Sequence, residues 1–534
     1  MKYDDILHIL GGFGRYQKIV LMLMAIPICL DGALHMLVAF LLGEPEHRCR
    51  LPDVIDDTYS ITSATHNTTM YNTSKCYLYI NGTEIPCKEW VYDSSVYTST
   101  LVTKFNMVCQ NKVYSSIILS AHFCGTTIHA FLCGLASDKY GRKPVYIGGI
   151  FLAIIPNLVR PWMPNLFLVG ICQFFYAGGS CICQIVPYII ATEMVDPSGR
   201  VFTTFCTFIC FCLGTYLILL FAYFIRDWET LIVCSTAPMI ISFFIFVFVP
   251  ESPRWLLSKG KTEQAIIILD RMAKYNKIDI RFDPQDITLS EEYTVSTLES
   301  FKIIIRSKEM LKRFLILSFN WFAIILTYYT ISMNTGELGG DPYIDFLLST
   351  SAETIAILLC FFAERYPRKS LYCPVMVIGG ASCISTIFTS IFGAKSLNWL
   401  TITLAIIGKL GISAAFFGAN LITTEVFPTV VRASAFGICN AIGRFGGIVS
   451  AFATKPGVLV DSKYGMGLPL LICGLFGTIA GLLALFLPET RKIELQDSVR
   501  EVLSKNSNFS RLDETTHLKT SSEDVEMYSV NKEE

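Results

Sequence analysis

Apolar stretches of about twenty residues recur along this chain, separated by short polar punctuation. They fall near 18–42, 114–136, 144–162, 166–190, 202–225 and 229–249, then near 313–334, 343–363, 371–393, 398–422, 433–453 and 466–487. Crossing the hydrocarbon of a bilayer takes about 20 apolar residues wound as a helix, because a helix satisfies its own backbone groups. The pattern predicts an all-α membrane protein with twelve transmembrane helices, six on each side of a polar stretch at 250–312. Within that stretch, Ala265–Leu269 with Met272 has the spacing of a short amphipathic helix lying under the bundle. A second polar segment fills 43–113. A third, from 491 to 534, is rich in Ser, Thr, Lys and Glu, a composition that predicts disorder.

The punctuation repeats. Thr192-Glu193 is followed by Arg200, and Thr424-Glu425 by Arg432; both the Glu and the Arg recur after 232 residues. Pro250-Glu251-Ser252 returns as Pro488-Glu489-Thr490 after 238, and Arg142-Lys143 as Arg368-Lys369 after 226. This predicts two six-helix pseudo-repeats, 18–249 and 313–490, rocking around a central site.

Composition agrees with the pattern: 52% of the 534 residues are hydrophobic and only 16% are charged, where a soluble domain carries about 25%. A net charge of −1, with no basic tract, gives no reason to expect a nucleic-acid partner. No G-x-x-x-x-G-K-[ST] loop is present to cradle ATP. No nucleophile, base and acid gather in a polar loop, so an enzyme is not expected.

Orientation follows from the short loops. Lys139, Arg142 and Lys143 lie between the second and third runs, and Arg365, Arg368 and Lys369 between the eighth and ninth. Positive charge beside span ends stays cytosolic, which places residues 1–17 and the tail inside and 43–113 outside. Residues 1–18 lack a cleavage site and do not read as a signal peptide. The outer segment carries glycosylation sequons at Asn67, Asn72 and Asn81, and a fourth sequon at Asn508 falls in the cytosolic tail. It also holds Cys49, Cys76, Cys87 and Cys109, for which three pairings are open. The other cysteines fall in or beside apolar runs and read as small core residues; no metal site is expected.

Gly134-Leu-Ala-Ser-Asp138-Lys139-Tyr-Gly141-Arg142-Lys143 resembles the signature of the major facilitator superfamily, where Asp and Arg bridge helix ends. Pro250-Glu251-Ser252-Pro253-Arg254-Trp255 resembles a motif shared by its sugar porters and organic ion carriers. Phe13-Gly14-Arg15-Tyr16-Gln17, Trp90-Val-Tyr-Asp93, Phe105-Asn106-Met-Val-Cys109 and Thr424-Glu-Val-Phe-Pro-Thr-Val-Val-Arg432 look like the organic cation/anion/carnitine transporter family. The resemblance runs from about residue 4 to 492. It implies a plasma-membrane carrier working by alternating access, as a monomer, with Asp138, Arg142, Glu193, Arg200, Glu251, Arg254, Glu425 and Arg432 as conformational hardware. Glu193 is expected to latch Arg200, and Glu425 to latch Arg432. No cofactor is implied, and a coupling ion is left open: Gly178–Gln184 lacks the Asn-Tyr pair of the sodium-coupled carnitine carrier.

Charges inside spans point to substrate, since each costs about 2.5–3.5 kcal/mol at mid-membrane on insertion scales. They are Asp31, Glu353, Lys409 and Arg444. In the resembling family an Arg at the position of Arg444 marks the anion and carnitine branches, and a guanidinium holds a carboxylate by two parallel hydrogen bonds. The alternative pairs Arg444 with Glu353 or Asp31. Leu338-Gly-Gly-Asp341 with Ala352-Glu353, and Gly408-Lys409-Leu-Gly, resemble the carnitine and cation branches, so Glu353 is expected to face a cationic nitrogen. Lys409 is expected to snorkel or pair in the cytosolic half. His35, His122 and His129 read as hydrogen-bonded packing residues, and Tyr328 and Phe417 as aromatic lining. The expected cargo is an organic cation or carnitine-like zwitterion, with organic anion exchange and a non-transporting sensor as alternatives. A neutral sugar suits these charges poorly.

Overall fold

The computed structural model describes residues 3–52, 57–60, 63–66, 69–80, 83–280, 282, 302, 304–333, 341–362, 366–392, 397–427, 429–453 and 468–489. Asn67, Asn81, Arg365, Leu338–Gly340 and the tail with Asn508 lie outside them.

The first half contains α1 (Arg15–Leu41), α2 (Val113–Tyr140), α3 (Arg142–Val159), α4 (Leu166–Glu193), α5 (Pro197–Phe224) and α6 (Trp228–Phe248). The second contains α7 (Lys308–Met333), α8 (Pro342–Phe362), α9 (Arg368–Phe392), α10 (Asn398–Val426), α11 (Thr429–Ala453) and α12 (Leu468–Ala484). Eleven are long and apolar enough to cross a membrane; α12 is apolar but shorter. Local chemistry sets their starts. Asn165, Asp196 and Asp227 cap α4, α5 and α6 with side-chain oxygens on backbone N–H groups, and Pro197 sits at the first turn of α5. Large apolar side chains such as Phe131, Phe167, Phe224 and Phe248 ring the outside, as a lipid-facing bundle requires.

Glycines set the closest crossing. A Cβ on Gly214 of α5 would lie 1.9 Å from the Cys29 carbonyl of α1, so the two backbones touch there.

The 43–113 segment is not helical for most of its length. Strands β1 (His47–Cys49) and β6 (Trp90–Tyr92) pair antiparallel, and β2 (Ser63–His66), β3 (Thr69–Thr73), β4 (Tyr77–Ile80) and β5 (Thr83–Pro86) form a four-stranded meander. Of the three open pairings the structure has Cys49–Cys87 and Cys76–Cys109, which tie the meander to the β1–β6 ribbon and to the start of α2. Asn72 is exposed on β3. His47, Cys76 and Cys109 converge, but the disulfide removes the thiolates a metal would bind.

At the opposite face, the helix Tyr3–Ile9 buries Ile6 and Leu7 completely. The amphipathic helix lies at Thr262–Asn276 and buries Ala265, Ile268, Leu269 and Met272. It docks on the start of α1: Asn276 donates to the Leu10 carbonyl (2.7 Å) and to Gln17 (3.0 Å), and accepts from the Tyr16 N–H (2.9 Å).

Candidate functional site

The repeated charges assemble into one cluster per half. Glu251, just after α6, accepts from the backbone N–H groups of Arg142 (3.0 Å) and Lys143 (3.1 Å), the first residues of α3. The Arg142 guanidinium then reaches the Ser137 carbonyl (2.8 Å), Asp138 (3.1 Å) and Glu193 at the end of α4 (3.0 Å). Glu489, after α12, accepts from Arg368 (2.9 Å) and Lys369 (3.1 Å) at the start of α9, and Arg368 reaches Glu425 at 3.4 Å. Each carboxylate therefore sits on a helix N-terminus, where unpaired N–H groups and the helix dipole favour negative charge.

This corrects one expectation. Glu193 pairs with Arg142, and Arg200 turns instead to Asp4 (2.8 Å). The Glu193 carbonyl also receives the Tyr3 hydroxyl (3.0 Å), which burial and the nearby Glu193 charge hold protonated far above the ordinary tyrosine range. Arg254 lies half-buried within electrostatic reach of that hydroxyl. Arg432 donates to the Phe427 carbonyl (3.2 Å).

At the face that carries the β-segment, five aromatic rings bridge the halves. Tyr343 of α8 stacks on Phe40 of α1 (6.1 Å between centroids) and meets Tyr97 (6.0 Å) and Tyr223 of α5 (5.6 Å); Phe346 adds a second contact to Phe40 (4.8 Å). The Tyr343 hydroxyl donates to the Val96 carbonyl at 3.2 Å.

Between the two faces lie the intramembrane charges. Arg444 of α11 is half-buried, and its Nε donates to Asn440 at 3.3 Å. No described carboxylate pairs with Arg444; neither the Glu353 nor the Asp31 bridge forms. Asp31 is fully buried inside the first half. Ser180 of α4 donates to its Oδ1 (2.6 Å), while Oδ2 has no partner among the described residues.

Glu353 is not a free carboxylate. Lys409 of α10 lies 3.4 Å from it, and the Tyr328 hydroxyl lies 3.0 Å from both of its oxygens. Lys409 does not snorkel: its residue is 1% exposed, near the middle of α10, and its stem points inward to Ser332 (2.6 Å). Tyr328 stacks on Phe416 (6.2 Å, 28°). Phe417, the expected lining ring, is buried and meets Phe208 of α5, in the other half, at 5.8 Å. Phe208 also meets Phe416 (6.0 Å), so both neighbours reach the seam between the halves.

Sequence reading missed a polar chain beside Arg444. Buried Arg160, just beyond α3, donates to Gln173 of α4; Gln173 meets His122 of α2 (2.9 Å); the His122 and His35 rings lie 5.4 Å apart; and His35 of α1 bonds the Tyr329 hydroxyl of α7 (2.9 Å). The last bond crosses between halves. Arg160 was hidden because it falls at the edge of an apolar run, where a cation normally reaches water. His129 bonds only the Gly125 carbonyl of its own helix (2.9 Å), in keeping with packing.

Residues 54–501 match the model of a family described as "Sugar (and other) transporter". An organic cation transporter protein of Drosophila melanogaster is 31% identical, over 96% of this chain and 95% of its own. Organic cation/carnitine transporter 2 of Homo sapiens is 28% identical over 94% of each, and a Drosophila melanogaster beta-alanine transporter is 28% identical over 94% and 89%. The fold resembles the xylose transporter XylE from E. coli in a partially occluded inward open conformation. That likeness has a TM-score of 0.61 and 14% identity, covering 90% of this chain and all of the other.

Proposed function

The chain belongs to the organic cation/anion/carnitine transporters within the sugar (and other) transporter family, and on that premise we propose that it carries small zwitterions, each pairing a cationic nitrogen with a carboxylate. Transport is by alternating access across the plasma membrane, with both termini cytosolic and a single chain as the working unit; no nucleic acid takes part. Arg444 carries this reading. It is an intramembrane guanidinium between the halves, partly exposed, bonded to the Asn440 side chain and without a carboxylate partner among the described residues. Such a group binds a carboxylate more readily than one already paired, since no existing ion pair must first be broken. The names of two relatives point the same way, because carnitine and β-alanine are both zwitterions.

One observation favours a second reading. Lys409 neutralises Glu353, leaving the region around Arg444 positive, which suits a plain organic anion. Uptake by cells expressing the protein separates the readings. The expected outcome is saturable flux of carnitine or β-alanine that exceeds both tetraethylammonium and an aromatic monocarboxylate. Preference for the monocarboxylate establishes anion exchange. Absence of flux for every organic ion, with ligand binding retained, makes the protein a sensor.

A further inference from the structure

An aromatic face, a carboxylate and a hydroxyl converging on one point are the groups that recognise an alkylammonium. That constellation exists here, and a side chain of the protein fills it. The Lys409 ammonium lies 3.3 Å from the centroid of the Tyr328 ring, 3.4 Å from Glu353 and 2.6 Å from the Ser332 hydroxyl. Phe416 and Tyr329 flank Tyr328, the second edge-on at 5.2 Å. Arg444 lies on α11, which packs closely on α7, the helix of Tyr328 and Tyr329: a Cβ on Gly446 of α11 would lie 2.5 Å from the Phe322 carbonyl of α7.

Exposure shows how the seat is approached. The Glu353 side chain is 12% exposed and that of Lys409 only 2%. The carboxylate is therefore the more accessible partner, and the lysine is the one sealed in.

We infer that Lys409 is a resident occupant of the substrate's cation seat and a filter against cations that lack a carboxylate. The inference rests on the zwitterion reading. A bare cation taking Glu353 leaves the buried Lys409 charge without a partner, a strongly unfavourable arrangement. A zwitterion exchanges without that loss. Its nitrogen takes the Tyr328 face and Glu353, while its carboxylate receives Arg444 and the released Lys409. The net charge of the site is the same before and after.

The test is the ratio of apparent affinity for tetraethylammonium to that for β-alanine, read by competition in intact cells and by thermal shift of the purified full chain. Lys409→Met should raise the ratio at least about tenfold, Lys409→Arg should leave it at the wild-type value, and Lys409→Met with Glu353→Gln should abolish the gain. An unchanged ratio in Lys409→Met overturns the filter, as does equal loss of both ligands, which marks a purely structural ion pair. Should Lys409→Met fail to reach the surface, the double variant, which removes both charges together, supplies the reading. In it, tetraethylammonium bound tighter than in wild type removes Glu353 from the seat and overturns the inference; no tightening upholds it. Wild-type flux of β-alanine tests the zwitterion reading separately, since thermal shift by tetraethylammonium reports on the seat even in a chain that moves no zwitterion.

Discussion

The two halves are alike at one face and different in the middle. Glu251 with Arg142 and Glu193 matches Glu489 with Arg368 and Glu425, contact for contact. Carrying the 232-residue offset inward from Glu193 and Glu425 puts Ala177 of α4 opposite Lys409, and Cys212 of α5 opposite Arg444. Both first-half residues are small and buried. What the repeat preserves is the fastening of helix ends, and what it abandons is symmetry where a substrate would sit. A symmetric cavity would treat both ends of an asymmetric molecule alike. Two cations, Lys409 and Arg444, that only the second copy carries at these positions do not.

The sharpest break in that comparison comes from the unlike pair. Arg444→Ala should reduce uptake of carboxylate substrates at least about a hundredfold with surface expression intact, the scale of losing a charged hydrogen-bonded contact of about 3 kcal/mol. Cys212→Ala should change uptake less than tenfold. Surface biotinylation beside radiolabel uptake checks both.

The like pair comes next. Glu251→Gln and Glu489→Gln each weaken two charge-assisted hydrogen bonds to a helix N-terminus, and each should destabilise its half by about 1–3 kcal/mol. Lower melting temperatures of the purified variants would show it. If only one variant melts early, the clusters are equivalent in shape but not in function.

A smaller difference tests where the repeat is imperfect. Gly141 has φ of +107°, and a Cβ there would stand 2.5 Å from the Glu251 carboxylate. Gly141→Ala should destabilise by about 1–3 kcal/mol, because it combines left-handed strain with loss of the cap. Pro367 holds the equivalent place before Arg368, and Pro367→Ala should have a lesser effect. The smallest change is Asp4→Asn. Its pair with Arg200 is about one-third exposed on both sides, so water screens it, and the melting temperature should move by no more than a degree or two.

Much of this was legible in sequence. Spans were readable because a bilayer demands long apolar helices, and the repeats because their charges fall at fixed offsets. Partner choice was not. Glu193 and Arg200 are seven residues apart and look like neighbours, yet the Asp196 cap starts a new helix between them and turns Arg200 toward the N-terminal helix. The β-meander escaped notice because its strands are only four or five residues long and sit in a polar segment without a sustained alternation. Within the proposed site, Arg444 stood out as a charge inside an apolar run and by its resemblance to the family's position. The occupation of Glu353 by Lys409 joins residues 56 positions apart on different helices, which only packing reveals.

Tyr97 and the Val96 carbonyl belong to the segment outside the bilayer, yet they touch Tyr343 at the seam between the halves. On the proposed topology, with this segment extracellular, an antibody fragment that clamps it in place would hold the seam shut from outside. It would lower maximal flux without competing for the substrate, a non-competitive pharmacology for a carrier whose inner pocket it never enters.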